Sequence, residues 1–389
     1  MPIKNRFAET HAEITAWRRH LHMHPELGFD VHNTAKFVEE QLRAFGITDI
    51  TMGIGKTGVV AVIKGRTDTL CRVIGLRADM DALPIHEATG LEYASTFPGK
   101  MHVCGHDGHT AMLLGAAQYL AETRNFDGTA VIIFQPAEEG GGGGLEMCKD
   151  GLMERWSIQE VYGMHNMPGF PVGEFAIRSG ALLAAADEFS LTIVGRGGHA
   201  AAPHEAIDPN VAAAHVILAL QSVASRIVDP LRQVVVSVCG LHSDTEAHNG
   251  IPQVVRMNGT VRTLDPAVRD MVEAKIKQLI CMTAQAYDCK AEVVYERGYP
   301  VTVNSEKNTD YAADAALSVS GSIDTNTPPI MAAEDFSYML EERPGAYIMV
   351  GNGDGVTVHH PEYNFNDDAI PAGCSWYAEI VELRMPLIR

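Results

Sequence analysis

Nine residues, Met101-His102-Val103-Cys104-Gly105-His106-Asp107-Gly108-His109, hold three histidines, a cysteine and an aspartate just ahead of an apolar stretch that reads as a helix. Thiolate and imidazole donors suit zinc, manganese or a similar divalent ion. The bland alternative is a polar loop with a buried cysteine. A second segment, Gln135-Pro136-Ala137-Glu138-Glu139, follows a β-branched run at 130–134 and precedes the glycines of 140–144. Ligands in open α/β sheets gather at the carboxyl ends of strands. Two adjacent carboxylates there can divide labour, one binding metal and the other handling protons; otherwise they are a solvated pair. The glycines would let the backbone pass close to a metal or a substrate.

Two further histidine segments share that position. Gly163-Met164-His165-Asn166-Met167-Pro168 follows a strand read at 160–164, and Val358-His359-His360-Pro361 follows a strand at 346–350 through a glycine-rich turn. One cysteine, one glutamate and three histidines exceed what a tetrahedral zinc takes. They are too few for two fully separate ions. Two ions bridged by a shared ligand and a water fit the count.

Other polar clusters have weaker claims. His20 and His24 would share a helix face, but Pro25 ends that element. Asp79 and Asp81 come after a strand and suit the task of orienting ligands from behind, as do Asp107 and His109.

The elements that must hold these residues alternate up to residue 184. Strands are expected at 58–64, 72–77, 130–134 and 160–164, and helices at 11–22, 31–45 and 109–122. Short β-branched runs separated by helices predict an α/β domain with a largely parallel central sheet. A different rhythm fills 185–297: strand 186–194, helix 208–228, strands 234–241 and 254–263, helix 265–287, strand 290–296. Asp208-Pro209 and Asp265-Pro266 open the two helices as N-cap and first position. This βαββαβ order is ferredoxin-like. From 298 the α/β pattern resumes, with a strand at 346–350 and a helix at 374–384. The expected architecture is therefore a catalytic domain of 1–184 and 298–389, interrupted by an inserted domain of 185–297.

Composition narrows the partners. The net charge is −19, from 30 basic and 49 acidic side chains, which argues against nucleic acid or an anionic membrane. No apolar run is read as approaching the roughly 20 residues of a membrane helix. The N-terminal stretch has no apolar signal core. Cysteines at 71, 104, 148, 239, 281, 289 and 374 form an odd, irregular set, which predicts a reducing cytoplasm and no disulfide framework.

Read together, the motifs resemble one family. They are Trp17-Arg18-Arg19-His20-Leu21-His22-Met23-His24-Pro25-Glu26-Leu27-Gly28-Phe29, Leu76-Arg77-Ala78-Asp79-Met80-Asp81-Ala82-Leu83-Pro84, the segment 102–109, Gln135-Pro136-Ala137-Glu138-Glu139 and Gly197-Gly198-His199-Ala200. They resemble the amidohydrolase branch of the aminoacylase/carboxypeptidase G metallopeptidase family, which includes hippurate hydrolase and the auxin-amino-acid conjugate hydrolases. The resemblance spans nearly the whole chain, and the motifs come in family order. It implies Cys104, His106, Glu139, His165 and His359 as ligands of two divalent ions, Mn2+ or Zn2+ first and Co2+ or Ni2+ as alternatives. Within Val-His-His-Pro the family pattern favours His359, with His360 as runner-up. The resemblance also implies Glu138 as the catalytic carboxylate and 185–297 as a lid and dimerisation domain. His199 of a partner subunit would then polarise the scissile carbonyl, in a homodimer or a tetramer built from it. Asn249 would line the substrate pocket, although Asn249-Gly250-Ile251-Pro252 departs from the family's Asn-Val-Ile-Pro. Arg262 would pair with a substrate carboxylate; a strand-edge salt bridge is its plainer role. Glu334 and Asp335 would support the site, and the segment 17–29 would be a signature without ligands.

The implied reaction is hydrolysis of small N-acyl amino acids to a carboxylic acid and a free amino acid. A dipeptidase or carboxypeptidase of the same family is the nearest alternative. A cysteine hydrolase acting through Cys104 would leave Glu138, Glu139 and His165 without a purpose. A non-catalytic binding protein would lack a ligand or Glu138, and none is missing.

Overall fold

The computed structural model describes residues 4–387. The chain folds as two compact units. The first takes the residues up to Leu182, then Val303–Pro328 and everything from Asp335; the second takes Leu183–Thr302 and Pro329–Glu334. The sequence placed the insertion at 185–297, so the second unit starts earlier, ends later and gains a return segment. That return has no local signature. It is held by a bridge between Leu183 and Ile330 and by the Ala184 N–H, which the carbonyls of Ile330 and Ala332 share.

From its N-terminal end the first unit runs α1 (Asn5–Met23), α2 (His32–Ala44), β1 (Ile50–Ile54), β2 (Gly58–Lys64), β3 (Val73–Asp79), α3 (His106–Thr123), β4 (Thr129–Gln135), α4 (Gly143–Lys149) and β5 (Glu160–Pro168). The second unit contributes β6 (Ala185–Val194), α5 (Pro209–Ser222), β7 (Val234–Ser243), β8 (Val254–Thr263), α6 (Pro266–Gln285) and β9 (Lys290–Arg297). The chain then returns to the first unit with α7 (Glu306–Ser320), β10 (Gly345–Gly353) and α8 (Ile370–Arg384).

The sheet of the first unit has the order β1-β2-β4-β3-β5-β10, continued by the two-residue strands Phe175–Ala176 and Ile323–Asp324. Its centre is parallel, through the pairs β4–β3, β3–β5 and β5–β10. The β1–β2 and β2–β4 pairs are antiparallel. Strands β2, β3 and β4 are buried along nearly their whole length, as continuous apolar runs covered on both faces must be. The sequence missed β1, α4 and α7. Helix α4 opens on Gly143 and Gly144, poor helix formers. A Cβ on Gly143 would meet the Pro136 carbonyl at 1.7 Å, so close backbone approach explains its composition.

The second unit is a four-stranded antiparallel sheet of order β7-β8-β6-β9. Strands β6 and β8 alternate buried and more exposed residues, because one sheet face is covered by α5 and α6. Asp208 and Asp265 cap the two helices through side-chain bonds to the N–H groups of Asn210 and of Ala267 and Val268. The region 209–227 corrects one sequence reading, since by length and composition it is apolar enough to cross a membrane, with a mean hydropathy of 1.2. In the fold Ala212, Ala213, Val216, Leu220 and Val223 bury one face of it in the core of this unit, and its last turn is a π-helix rather than an α-helix.

Asp187 on β6 ties this unit together. Its buried carboxylate accepts from Arg269 Nη2 at 2.5 Å, Tyr295 Oη at 2.8 Å and the Gly298 N–H at 3.2 Å. Removing it strands a guanidinium that is only 8% exposed. Asp187→Ala is expected to destabilise the second unit by about 3–5 kcal/mol, read as an early transition in urea unfolding; an unchanged profile would count against this tie.

Candidate metal centre

Parallel pairing brings the carboxyl ends of β3, β4, β5 and β10 to one edge of the sheet. The chemistry-bearing residues of the first unit collect there. Asp79 is the last residue of β3 rather than a residue after it, and His165 lies inside β5, opposite Met349 of β10. His106 begins α3, with Gly105 before it in the left-handed region at φ +92°.

Asp81 sets the orientation of three of these groups. Its carbonyl takes the proton of His106 Nδ1 at 2.8 Å, which turns Nε2 inward. Its carboxylate accepts the N–H groups of Glu138 at 2.9 Å and Glu139 at 3.1 Å. Ala137, at φ +53°, makes the sharp turn that aims both N–H groups at Asp81. His165 donates from Nδ1 to the Asn166 carbonyl at 2.7 Å, so its Nε2 faces Cys104 Sγ at 3.4 Å. The His359 N–H is held by the Val103 carbonyl at 2.9 Å, and His359 Nε2 lies 3.2 Å from Glu139 Oε1.

Ligating atoms therefore converge in overlapping trios. Cys104, His106 and His165 form one, Cys104, Glu139 and His359 a second, and His106, Glu138 and Glu139 a third; within each, the atoms lie within 4.8 Å of one another. His106 Nε2 is buried without a directed hydrogen-bond partner among the described residues, and Glu139 Oε1 is buried beside His359 Nε2. Soft thiolate, imidazoles and carboxylates in this packing, with two such atoms aimed inward, fit divalent metal ions. His360 turns away, exposed, and accepts the Glu362 N–H.

Electrostatics agrees with that reading. Burial pushes His165 down to about 3, leaving a neutral imidazole able to ligate. Burial also raises the Cys104 thiol, although His106 pulls the other way. A nucleophilic cysteine needs the opposite shift, which argues against a cysteine hydrolase. Hydrogen bonds with Cys104 and Glu139 raise His359 to about 10.

Neighbouring groups are tied to one another as well as to the cluster, and Asp79, His106 and His109 also bring ligating atoms within 4.8 Å of one another. His109 donates to Asp79 at 2.7 Å and accepts the Asn166 N–H at 2.9 Å, so both its ring nitrogens are engaged. Asp107 is fully buried against Arg18 at 2.9 Å and His22 at 2.8 Å. His20 and His24 stack 4.5 Å apart and belong to no ligating trio among the described residues. The sequence missed a second support. Buried Arg77 donates to Asp79, Gln135 and Asp335, and Asp335 accepts the Gly144 N–H. An arginine and a glutamine inside apolar strands were the available signal. Glu334 is buried in the return segment of the second unit.

The remaining predicted site residues lie in the second unit. His199 is exposed on a short strand paired with Gly250–Ile251, and the Ala200 N–H donates to the Asn249 carbonyl, so His199 and Asn249 are neighbours. Arg262 is not in a salt bridge among the described residues; it bonds the Thr260 hydroxyl and the Val261 carbonyl.

Residues 75–383 match peptidase family M20/M25/M40. The chain belongs to this family. It is a metal-dependent amidohydrolase. Hippurate hydrolase of Campylobacter jejuni is 42% identical over 371 residues, covering 95% of each chain. N-acetyl-L-cysteine deacetylase of Bacillus subtilis is 40% identical, covering 92% of this chain and 85% of that one. A solved Bacillus subtilis protein, described as a dinuclear metal binding peptidase from the M20 family, superposes with a TM-score of 0.86 at 33% identity, covering 98% of this chain and all of the other.

The start of α3 depends on the tight turn at Gly105. A Cβ there would lie 2.3 Å from Asn166 Nδ2 and 2.6 Å from Tyr363 Oη, on a backbone that L side chains rarely adopt. Gly105→Ala is therefore expected to destabilise the first unit by about 1–3 kcal/mol. Denaturant unfolding checks this, and a wild-type midpoint would contradict it.

Proposed function

We propose that this M20 amidohydrolase cleaves the amide bond of hippurate-like N-acyl amino acids at a two-ion centre. Cys104, His106, Glu139, His165 and His359 would hold the ions, Mn2+ or Zn2+ in the first instance. The observation that carries the reading is the pair of ligating trios that share Cys104, one with His106 and His165 and one with Glu139 and His359. Two ions with ligands in common suit that arrangement. The hippurate hydrolase and deacetylase relatives support the substrate class.

When bound, such ions polarise the amide carbonyl and bring water to the edge of ionisation near neutral pH. Glu138 is the proton carrier. Its neighbour Glu139 is committed to the ligand set, and Asp81 fixes the backbone of both. The Glu138 carboxylate takes the proton of the attacking water and delivers it to the departing amine nitrogen. His199 of a second copy donates a hydrogen bond to the carbonyl oxygen as charge develops there. Asn249, next to His199, contacts the substrate, and Arg262 pairs with its carboxylate. Exposed Val211 and Leu218 on α5 and Met282 on α6 support a homodimer formed through the second unit. The setting we favour is the cytoplasm.

Glu138→Ala is expected to lower turnover of hippurate and related N-acyl amino acids by about 10²- to 10⁴-fold, with two ions still bound by elemental analysis. Near-wild-type turnover would sink the assignment. A parallel screen of N-acyl amino acids and dipeptides, on metal-stripped protein resupplied with zinc, manganese, cobalt or nickel, identifies substrate and ion; preference for dipeptides would make the enzyme a peptidase.

Affinity for the ions should also depend on pH. Without metal, His359 holds its proton up to about 10, and burial keeps Cys104 a thiol above its ordinary range. An entering ion must displace both protons, so binding should release protons and tighten from about pH 6 to 8. Calorimetry in buffers of different ionisation enthalpy counts them; affinity that ignores pH would remove these two residues from the ligand set.

A further inference from the structure

Asn166 lies directly after His165 and is 2% exposed. Every polar group it owns is committed to a segment that carries a ligating residue. Its Nδ2 donates to the Cys104 carbonyl at 2.6 Å and lies 3.1 Å from His109 Nε2. Its Oδ1 accepts the Tyr363 hydroxyl at 2.7 Å, from the loop that bears His359. Its N–H donates to His109 Nε2 at 2.9 Å, and its carbonyl accepts His165 Nδ1. Gly105 is bare because the Asn166–Tyr363 pair occupies the place of its side chain.

We infer that Asn166 is a positioning residue that sets Cys104 as a metal ligand, acting through the Cys104 carbonyl and braced by Tyr363. This rests on the two-ion reading above. A side-chain amide supplies the pattern needed here: a proton for the Cys104 carbonyl and an oxygen that accepts a phenol. A carboxylate in its place would face the Cys104 carbonyl without a proton to offer. The Cys104 segment makes a left-handed turn at Gly105. Its sulfur is therefore a ligand whose direction depends on a tether from outside the turn. His106, by contrast, is held independently by Asp81. Loss of Asn166 should thus act on the Cys104 side of the centre and spare the His106 imidazole.

The test uses the full-length protein loaded with cobalt. Thiolate coordination gives a near-ultraviolet sulfur-to-cobalt charge-transfer band, distinct from the visible bands that any cobalt site shows. Asn166→Ala and Asn166→Asp should both lose most of that band while keeping the visible bands. Both cobalts should be released about 10- to 100-fold more readily to a competing chelator, because Cys104 belongs to both ligating trios. Tyr363→Phe, which removes one hydroxyl and keeps the ring, should shift the band and the affinity in the same direction by less. The double variant Asn166→Ala/Tyr363→Phe should be no worse than Asn166→Ala, because the two act through one bond. A full band with both affinities intact in either Asn166 variant would overturn the inference. If the Asn166 variants do not fold, an unchanged band in Tyr363→Phe overturns it instead. Wild-type protein that binds cobalt without the band would remove Cys104 as a ligand, a failure of the two-ion reading that is visible before any variant is made.

Discussion

The Asp81 carboxylate is the interaction on which the candidate centre depends. It is 1% exposed, and it accepts two adjacent backbone N–H groups while its own carbonyl holds a histidine. A single residue, two past the end of β3, therefore fixes the turn after β4 and the first residue of α3. A buried carboxylate is tolerable only with such partners. Here the partners are backbone groups that would otherwise be orphaned at a sharp turn. The same bonds that satisfy the charge also define where Glu138, Glu139 and His106 point.

The surroundings repeat that logic. Arg77, Asp79, Asp107 and Arg18 are all charged and all fully buried, and each is paired. Asp79 answers Arg77 on one side and His109 on the other. Such networks stabilise little in net terms, but removing one member leaves another charge exposed to a low dielectric. Their effect is to allow one arrangement of the strand ends and few others. Strain sits in the same place: Ala137 and His359 both adopt positive φ, and both are next to or part of the cluster.

The second unit follows simpler rules. Alternating strands, two capped helices and one buried ion pair account for it. Its polar candidates, His199, Asn249 and Arg262, lie on exposed or half-buried surface without a comparable network. They are free to meet a ligand, whereas the groups around Asp81 are committed to one another.

Much of this was legible along the chain. The βαββαβ order of the second unit followed from periodicity and two Asp-Pro helix starts, because both act within a few residues. That Cys104, Glu139, His165 and His359 come together followed from motif and family resemblance. Helix α4 was not legible, since its glycines are explained by contact with Pro136 and Asp335, far from any local propensity. Nor was the return of 329–334 to the second unit, which depends on a pairing across more than a hundred residues. Residue types and spacing marked the candidate groups, and the motifs marked the family. Only the tertiary structure decided which nitrogen of His106 and His165 faces inward, that His359 rather than His360 meets Glu139, and that Asn166 and Tyr363 stand behind the Cys104 turn. Those choices are made by hydrogen bonds between segments that the sequence lists apart and the parallel sheet brings to a single edge.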